Sequence, residues 1–455
     1  MADPAQTSSA WTKPAVVLAT VFLLAFVLRT AFVLYYGPIL TNDSNYYLTV
    51  AQGIQNGEGL GLPYRSPPVY PLFLAAVASV WNSHHAVIWA QALVGAATCV
   101  VLAAVCRRLF QPRIAFLLGI LVALYIPLAA FCVTVLRETL IALGVACTTY
   151  CVVRAMQEDK PAWHWATGAA CVFTLFNQAT FIVFPFWLGL AYWIHTRNWK
   201  AAAIRIVPVV ACMAIAMATW ATRNYLRTSH FIPLSADHIG YFFLEGIMDA
   251  NKEAKALTPA QMQHLGVAED DPYNTYQGMR DYYWAFVQTN GASTLERKLR
   301  DGPVLFSRAV RLVRYEPGKY LRFSLQRLHR LWMKDLWVEQ TESSYLNLRP
   351  LDRFRQGRRP LALVVVLAVY LFGYSALIGM AVFGKRTLGL LAPPVAMLAF
   401  HMWFHVETRY ALAVHPHLLI FAVLAVLYLW LRLVGKRPTE EIRSSILPDT
   451  GKPTR

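Results

Sequence analysis

Runs of about 20 apolar residues recur along this 455-residue chain, and nothing else in it constrains the fold as strongly. In lipid, backbone N–H and C=O groups find no water, so each run must satisfy them internally as a helix. Composition agrees. Apolar residues make up 57% of the chain and charged residues 15%, against about 25% charged in ordinary soluble domains. The chain reads as an all-α polytopic membrane protein. The formal charge of +17 does not point to nucleic acid, because the basic residues cluster at the ends of apolar runs, where they anchor and orient helices. All seven cysteines lie within or at the ends of those runs. They read as small apolar packers, with neither metal-ligand spacing nor a disulfide framework. The N-terminal residues are too polar to begin a cleaved signal, so the first run, 14–36, is expected as a retained helix.

Membrane helices are expected near 14–36, 86–109, 114–132, 136–154, 162–177, 180–195, 201–221, 361–384, 387–404 and 411–433. The stretch Val69–Val80 has 12 apolar or small residues, too few to cross roughly 30 Å of hydrocarbon at 1.5 Å per residue. It is expected as an interfacial helix. That choice puts Arg107, Arg108, Arg113, Arg154, Lys160, Arg197, Lys200, Lys385, Arg386, Lys436 and Arg437 on one side, as the positive-inside bias requires. About ten spanning helices result, with both termini cytoplasmic. The chain then divides into an N-terminal transmembrane module (1–221) with a first outer loop (37–85), an extracytoplasmic segment (222–360), C-terminal transmembrane helices (361–435) and a cytoplasmic tail (436–455). Within the long outer segment, Asn251 to Asp271 reads as a mobile loop. The later stretch SRAVRLVRYEPGKYLRFSLQRLHRLWMKDLW reads as two amphipathic helices lying on the membrane, broken at Pro317.

This topology gathers polar groups on the outer face. Asp43 stands in the first outer loop, Arg137 and Glu138 in the second, Asn177 and Gln178 in the third, Arg223 and Asn224 after the seventh helix, and His405, Glu407 and Arg409 in the last turn. A carboxylate at the mouth of a membrane helix is costly unless it is solvated or used. The fitting chemistry is transfer to or from a lipid phosphate, with a carboxylate as general base and arginines holding phosphate in bidentate fashion. Each residue also has a plainer reading. Asp43 could cap a helix, Glu138 could be a first-turn charge, and Arg409 could be an interface snorkel. Arg223 stands where arginine commonly follows a membrane helix, and Arg65 either contacts phosphate or shapes its Arg-Ser-Pro-Pro turn. His405 and Glu407 alone fall short of a metal site. Arg29, inside the first helix, reads as snorkelling to the interface.

The run TNDSNYYLTVAQGIQNGEGLGLPYRSPPVYPLFLA resembles the first outer loop of the GT-C glycosyltransferases. It is most similar to the bacterial relatives of dolichyl-phosphate-mannose protein mannosyltransferases and to the aminoarabinose transferase of lipid A. The matching positions are Asp43, Tyr46 or Tyr47, Gly57 and Gly59, and Pro67 to Pro71. LRETL around Glu138, WATRNYLRTSHFIPLS from Trp220, EPGKYLRFSLQRLHRLW and ETRYALAVHP follow in the family's order. The resemblance implies an inverting transfer from a polyprenyl-phosphate-linked sugar to a hydroxyl acceptor on a protein, lipid or glycan, outside a bacterial cytoplasmic membrane. It implies Asp43 as base, Glu138 as a second acidic group in the catalytic machinery, and Arg409 with Tyr410 at the donor phosphate. It adds Arg65, Tyr46, Tyr47, Arg223, His405 and Glu407 as substrate-binding candidates. Two departures stand out. Ala413 replaces a proline common in relatives, and Asp43 is flanked by Asn42 and Ser44 where metal-using relatives have adjacent carboxylates. No cofactor follows from the residues, and a divalent metal is not supported. A transporter or flippase of a polyprenyl-linked lipid would share the basic, lipid-facing entrance, though its polar groups belong near the midplane. A non-catalytic membrane scaffold is the third reading.

Overall fold

A computed structural model describes residues 13–61, 67–235, 239–278, 281, 292–333, 359–404, 408–435 and 437–447. Among these the chain is helical, with no strand and two isolated bridges. The first helix, α1 (Pro14–Tyr36), starts on a proline at its first turn, where no N–H is needed, and ends at Gly37 in a positive-φ conformation. Two shorter helices follow, α2 (Asn42–Gln55) and α3 (Val69–Val80). The N-terminal bundle continues through α4 (His84–Leu109), α5 (Pro112–Ala123), the short α6 (Ile126–Ala130), α7 (Glu138–Glu158), α8 (Pro161–Leu175), α9 (Phe184–Thr196) and α10 (Trp199–Thr228). α1 packs on α4, α4 on α7, α7 on α8 and α8 on α10.

Six helices among the described residues are long and apolar enough to cross a membrane, or seven if the pair Pro112–Ala123 and Ile126–Val133, bent by 47°, is one broken span. The expected count of ten is not reached on that measure. α8 has 15 residues, about 22 Å of helix, short of the roughly 30 Å of hydrocarbon. The expected span near 387–404 is α16 (Leu388–His401), shorter still at 14 residues. It is wedged against α7 and α9, so neighbouring helices, not its own length, set its place. Ahead of it, α15 (Arg359–Phe383) falls on the expected 361–384 stretch. α15 packs tightly on α17 (His415–Leu433), where a Cβ on Gly379 would collide with the backbone carbonyl of Phe421. α18 (Thr439–Ile446), in the stretch expected as a tail, folds back on the bundle. Gln111 N–H donates to Ile446 O at 3.0 Å, Arg443 Nη2 donates to Val382 O at 2.9 Å, and Ile442 and Ile446 are buried.

Two sequence expectations are corrected here. Arg29 does not snorkel. Its side chain is fully buried against α4: Nη1 donates to Ala25 O of its own helix at 2.9 Å, and Nη2 lies 3.4 Å from Cys99 Sγ of α4. Gly95 makes the room, since a Cβ there would stand 2.5 Å from Arg29 Nε. The stretch 251–271 is not an open loop either. It carries α12 (Pro259–Leu265), closed at its start by a Thr258–Gln261 capping box and at its end by Gly266 in the left-handed region. α12 joins α11 (Ile239–Met248), α13 (Ala292–Tyr315) and α14 (Pro317–Met333) around a small core containing Leu244, Leu257, Leu305, Leu312 and Tyr320. Gln261 Nε2 donates to the Tyr320 hydroxyl at 2.9 Å, and Lys319 Nζ to Asn251 Oδ1 at 2.7 Å.

Candidate active site

The site begins with two pieces of backbone clipped together. Ile39 N–H donates to Val133 O at 2.8 Å, and Val135 N–H donates to Ile39 O at 3.0 Å. This parallel bridge joins the chain before α2 to the chain before α7. The cap of α2 is Thr41, not Asp43. Ser44 N–H donates to Thr41 Oγ1, Thr41 N–H donates to Ser44 Oγ, and the Ser44 hydroxyl donates onward to Val135 O at 2.8 Å. One capping box thus starts the helix and fastens it to the neighbouring segment.

A buried polar chain backs this junction. The Tyr70 hydroxyl donates to Gln91 Oε1 at 2.9 Å, and Gln91 Nε2 donates to Cys132 O and Thr134 O, each at 2.8 Å. Tyr47 meets Tyr70 edge to face, ring centroids 5.0 Å apart, and Tyr46 packs beside Tyr47 at 5.7 Å. Burial pushes the phenols of Tyr47 and Tyr70 up, that of Tyr70 strongly, so both stay neutral.

Onto this frame Arg409 folds from the short helical turn Thr408–Ala411 before α17. Its Nη2 donates to Asp43 Oδ2 at 2.8 Å, and its Nε lies 3.6 Å from Glu138 Oε1. The side chains of Arg409 and Glu138 are 8% and 5% exposed, that of Asp43 27%. Glu138 is the first residue of α7, where unpaired N–H groups favour a negative charge. Arg137 Nη1 donates to Asn177 O at 3.1 Å, tying the end of α8 to the same place. Tyr410 stacks on His401, centroids 5.2 Å apart at 23°, and carries the Arg409 guanidinium 5.5 Å from its ring centre. Glu138, Gln178, Arg409 and Tyr410, with Ile141, Met397 and Ala413, line a small pocket.

The structure therefore brings together Asp43, Glu138, Arg409 and Tyr410, with Tyr46 and Tyr47 supporting them. It sets Arg223 elsewhere. Arg223 Nη2 donates to Gly61 O at 2.7 Å over the Trp220 ring, and Arg227 Nη1 reaches Glu58 O at 3.4 Å. Both arginines clasp the glycine turn of the first loop, where Gly59 has φ +74° and leaves space for Arg227. Arg65, His405 and Glu407 lie outside the described residues. Among the described residues no three His, Cys, Asp or Glu side chains are grouped to hold a metal ion. Sequence reasoning passed over Ser44, Tyr70, Gln91 and His401. Gln91 had a visible signal, an amide in the middle of the apolar helix HHAVIWAQALVGAA.

Residues 65–222 match the family described as dolichyl-phosphate-mannose-protein mannosyltransferase. The match takes in Tyr70, Gln91, Glu138 and Gln178 and stops short of Arg223, while Asp43 and Arg409 lie outside it. No curated protein matches the sequence. Among solved structures, the oligosaccharyltransferase of Archaeoglobus fulgidus in its apo form is similar over 94% of this chain and 52% of its own, at 12% identity and a TM-score of 0.51. ArnT from Cupriavidus metallidurans, bound to undecaprenyl phosphate, is similar over 90% of this chain and 78% of its own, at 15% identity and a TM-score of 0.43. The chain spans about half the length of the archaeal enzyme. In its fold the protein is similar to the archaeal oligosaccharyltransferase, and its residues 65–222 carry the match to the dolichyl-phosphate-mannose-protein mannosyltransferase family.

Proposed function

We propose that the protein is an integral-membrane glycosyltransferase that moves a sugar from a polyprenyl-phosphate-linked donor to a hydroxyl acceptor, with inversion. The observation that carries this reading is the Asp43–Arg409–Glu138 cluster, which joins the first loop, the start of α7 and the turn before α17 at one end of the bundle. The acceptor oxygen attacks the anomeric carbon while the bond from that carbon to the phosphate oxygen breaks. The acceptor's proton passes to Asp43, and polyprenyl phosphate leaves. Arg409 meets the phosphate as its charge grows, and Glu138 holds Arg409 in place. Asp43, the most exposed of the three, is the one an acceptor can approach.

The same reading puts this end of the bundle outside the cytoplasmic membrane and both termini inside. Supporting it, Arg108, Arg154, Lys160 and Arg386 cluster with Glu158 and Glu440 at the other end, the pattern of a cytoplasmic face. Arg65, His405 and Glu407 stay substrate-binding candidates from the sequence, and the acceptor is a protein, lipid or glycan hydroxyl. In this reading the basic amphipathic helices α13 and α14 border the lipid entrance.

The test is transfer from a panel of labelled polyprenyl-phosphate sugars to host membrane extract, wild type beside Asp43→Asn. Turnover by the wild type and none by a folded variant is expected. Full activity in the variant would remove Asp43 as base.

A further inference from the structure

The base assigned to the reaction is engaged in the resting protein. Asp43 Oδ2 accepts a hydrogen bond from Arg409 Nη2 at 2.8 Å. An opposite charge this close favours the ionised form of a carboxylate, so a carboxylate paired in this way attracts a proton poorly. Arg409 is also the side chain that meets the donor phosphate. One guanidinium is therefore shared by two anions, the base and the phosphate.

The surroundings decide which anion yields. Among the described residues, two carboxylates, Asp43 and Glu138, stand with two guanidiniums, Arg409 and Arg137, so the cluster is neutral. The donor phosphate adds negative charge, and one carboxylate has to give ground. Glu138 is confined. It is buried at the start of α7, within electrostatic reach of both Arg409 and Arg137, and a buried charge does not give up its partners cheaply. Asp43 is the most exposed of the ion-paired three, so its charge can move into water. Its place in α2 permits the move. The cap of α2 is built from Thr41 and Ser44, so the Asp43 side chain can change rotamer while the helix start stays closed. Once released it still lies in the first turn of α2, where unpaired N–H groups favour its charge. Arg409 stays in place, held by Glu138 and by the Tyr410 ring, which stacks on His401.

We propose that the donor phosphate displaces Asp43 from Arg409 and that this exchange frees the base, so the donor is seated before an acceptor can be deprotonated. The proposal rests on the glycosyltransferase reading and adds the order in which the site assembles. An ion pair keeps the site inactive until the substrate that breaks the pair arrives. The exchange is reciprocal. Whatever factor the Asp43 pairing withholds from phosphate affinity, the phosphate takes from that pairing. Glu138 takes no part in the exchange and holds Arg409 in both states.

The experiment measures binding of undecaprenyl phosphate to the full-length protein in nanodiscs, for the wild type, Asp43→Asn and Glu138→Gln. Asp43→Asn removes the competitor and is expected to tighten binding about fivefold, the size of a partly exposed ion pair, while transfer is lost. Glu138→Gln takes the same charge from the other side of Arg409 and is expected to leave binding unchanged or weaker. Asp43→Ser serves as the second neutral variant where Asp43→Asn fails to fold. On the wild type, carboxyl labelling by a water-soluble carbodiimide with glycinamide, read by peptide mass spectrometry, is expected to rise at Asp43 when undecaprenyl phosphate saturates the protein. The probe has no sugar to cover the approach. Unchanged or weaker binding in the Asp43 variants, equal tightening in Glu138→Gln, or no rise in Asp43 labelling would overturn the exchange while leaving the glycosyltransferase reading intact. No binding of undecaprenyl phosphate by the folded wild type would overturn both.

Discussion

Arg409→Ala separates the two roles assigned to this arginine. In the resting protein its guanidinium lies between Asp43, at 2.8 Å, and Glu138, at 3.6 Å. Removing it leaves two carboxylates facing each other. Asp43, with 27% of its side chain exposed, is rescued by water, so little of the cost falls there. Glu138, 5% exposed, is not, and a buried charge that loses its partner costs about 3–5 kcal/mol. The variant should therefore melt several degrees below the wild type in detergent. Adding Glu138→Gln removes the stranded charge and should return most of that loss. Catalysis should behave differently. If Arg409 meets the developing phosphate charge, its removal costs about 10²–10³ in rate, and Glu138→Gln does not restore it. Arg409→Lys keeps the charge but not the fork, so it should recover stability better than turnover. A double-mutant cycle on melting temperature, run beside transfer from a labelled donor, reads both quantities. An Arg409→Ala protein that melts like the wild type, with no coupling to Glu138→Gln, refutes the ion-pair argument. One that is destabilised yet transfers at the wild-type rate refutes the phosphate role.

Other perturbations test the frame around the site. Gly95→Ala should destabilise the α1–α4 contact by about 1–3 kcal/mol through overpacking against Arg29 Nε. Thermal unfolding measures this, and combining it with Arg29→Met should relieve it. Tyr70→Phe leaves Gln91 Oε1 buried without its donor, costing about 1–3 kcal/mol. Because Gln91 also holds Cys132 O and Thr134 O, amide exchange at residues 133–136 should speed up. On the outer segment, burial pushes the Asp271 carboxyl up, but the Arg308 guanidinium and the Tyr273 N–H outweigh it and hold it below its ordinary 3.8. A folded-state value below the unfolded one adds stability above the ordinary carboxylate range and loses it as pH falls through the folded value. Melting of α11–α14 should drop on acidification below about pH 4, and Asp271→Asn should flatten that part of the profile.

The helices were legible because hydropathy is a local property, written in each run independently of the others. What a run does once folded is not local. α8 and α16 end within about three residues of the expected 162–177 and 387–404 stretches, yet at 15 and 14 residues they are too short to span unaided. The sequence does not name the neighbours that hold them, which for α16 are α7 and α9. Arg29 shows the same limit. Hydropathy gives a cation in a lipid helix one cheap exit, the interface, and cannot anticipate that α4 offers a glycine at position 95 to receive it. The site divides along the same line. Asp43 was singled out by its place at a helix mouth and by the family-like loop around it. Its partner Arg409 stands 366 positions away, and no spacing rule spans that distance. The topology put both on the outer face, and the resemblance gave them roles in one site. The polar support was also beyond pattern. Tyr70 and Gln91 look like a stray phenol and a stray amide in apolar helices, and they become a connected chain only when α3 and α4 are laid side by side behind residues 132–134. In a lipid-embedded fold each such buried polar group must find a partner. A lone amide in an apolar run is therefore a forecast of a contact, although the sequence does not name the partner.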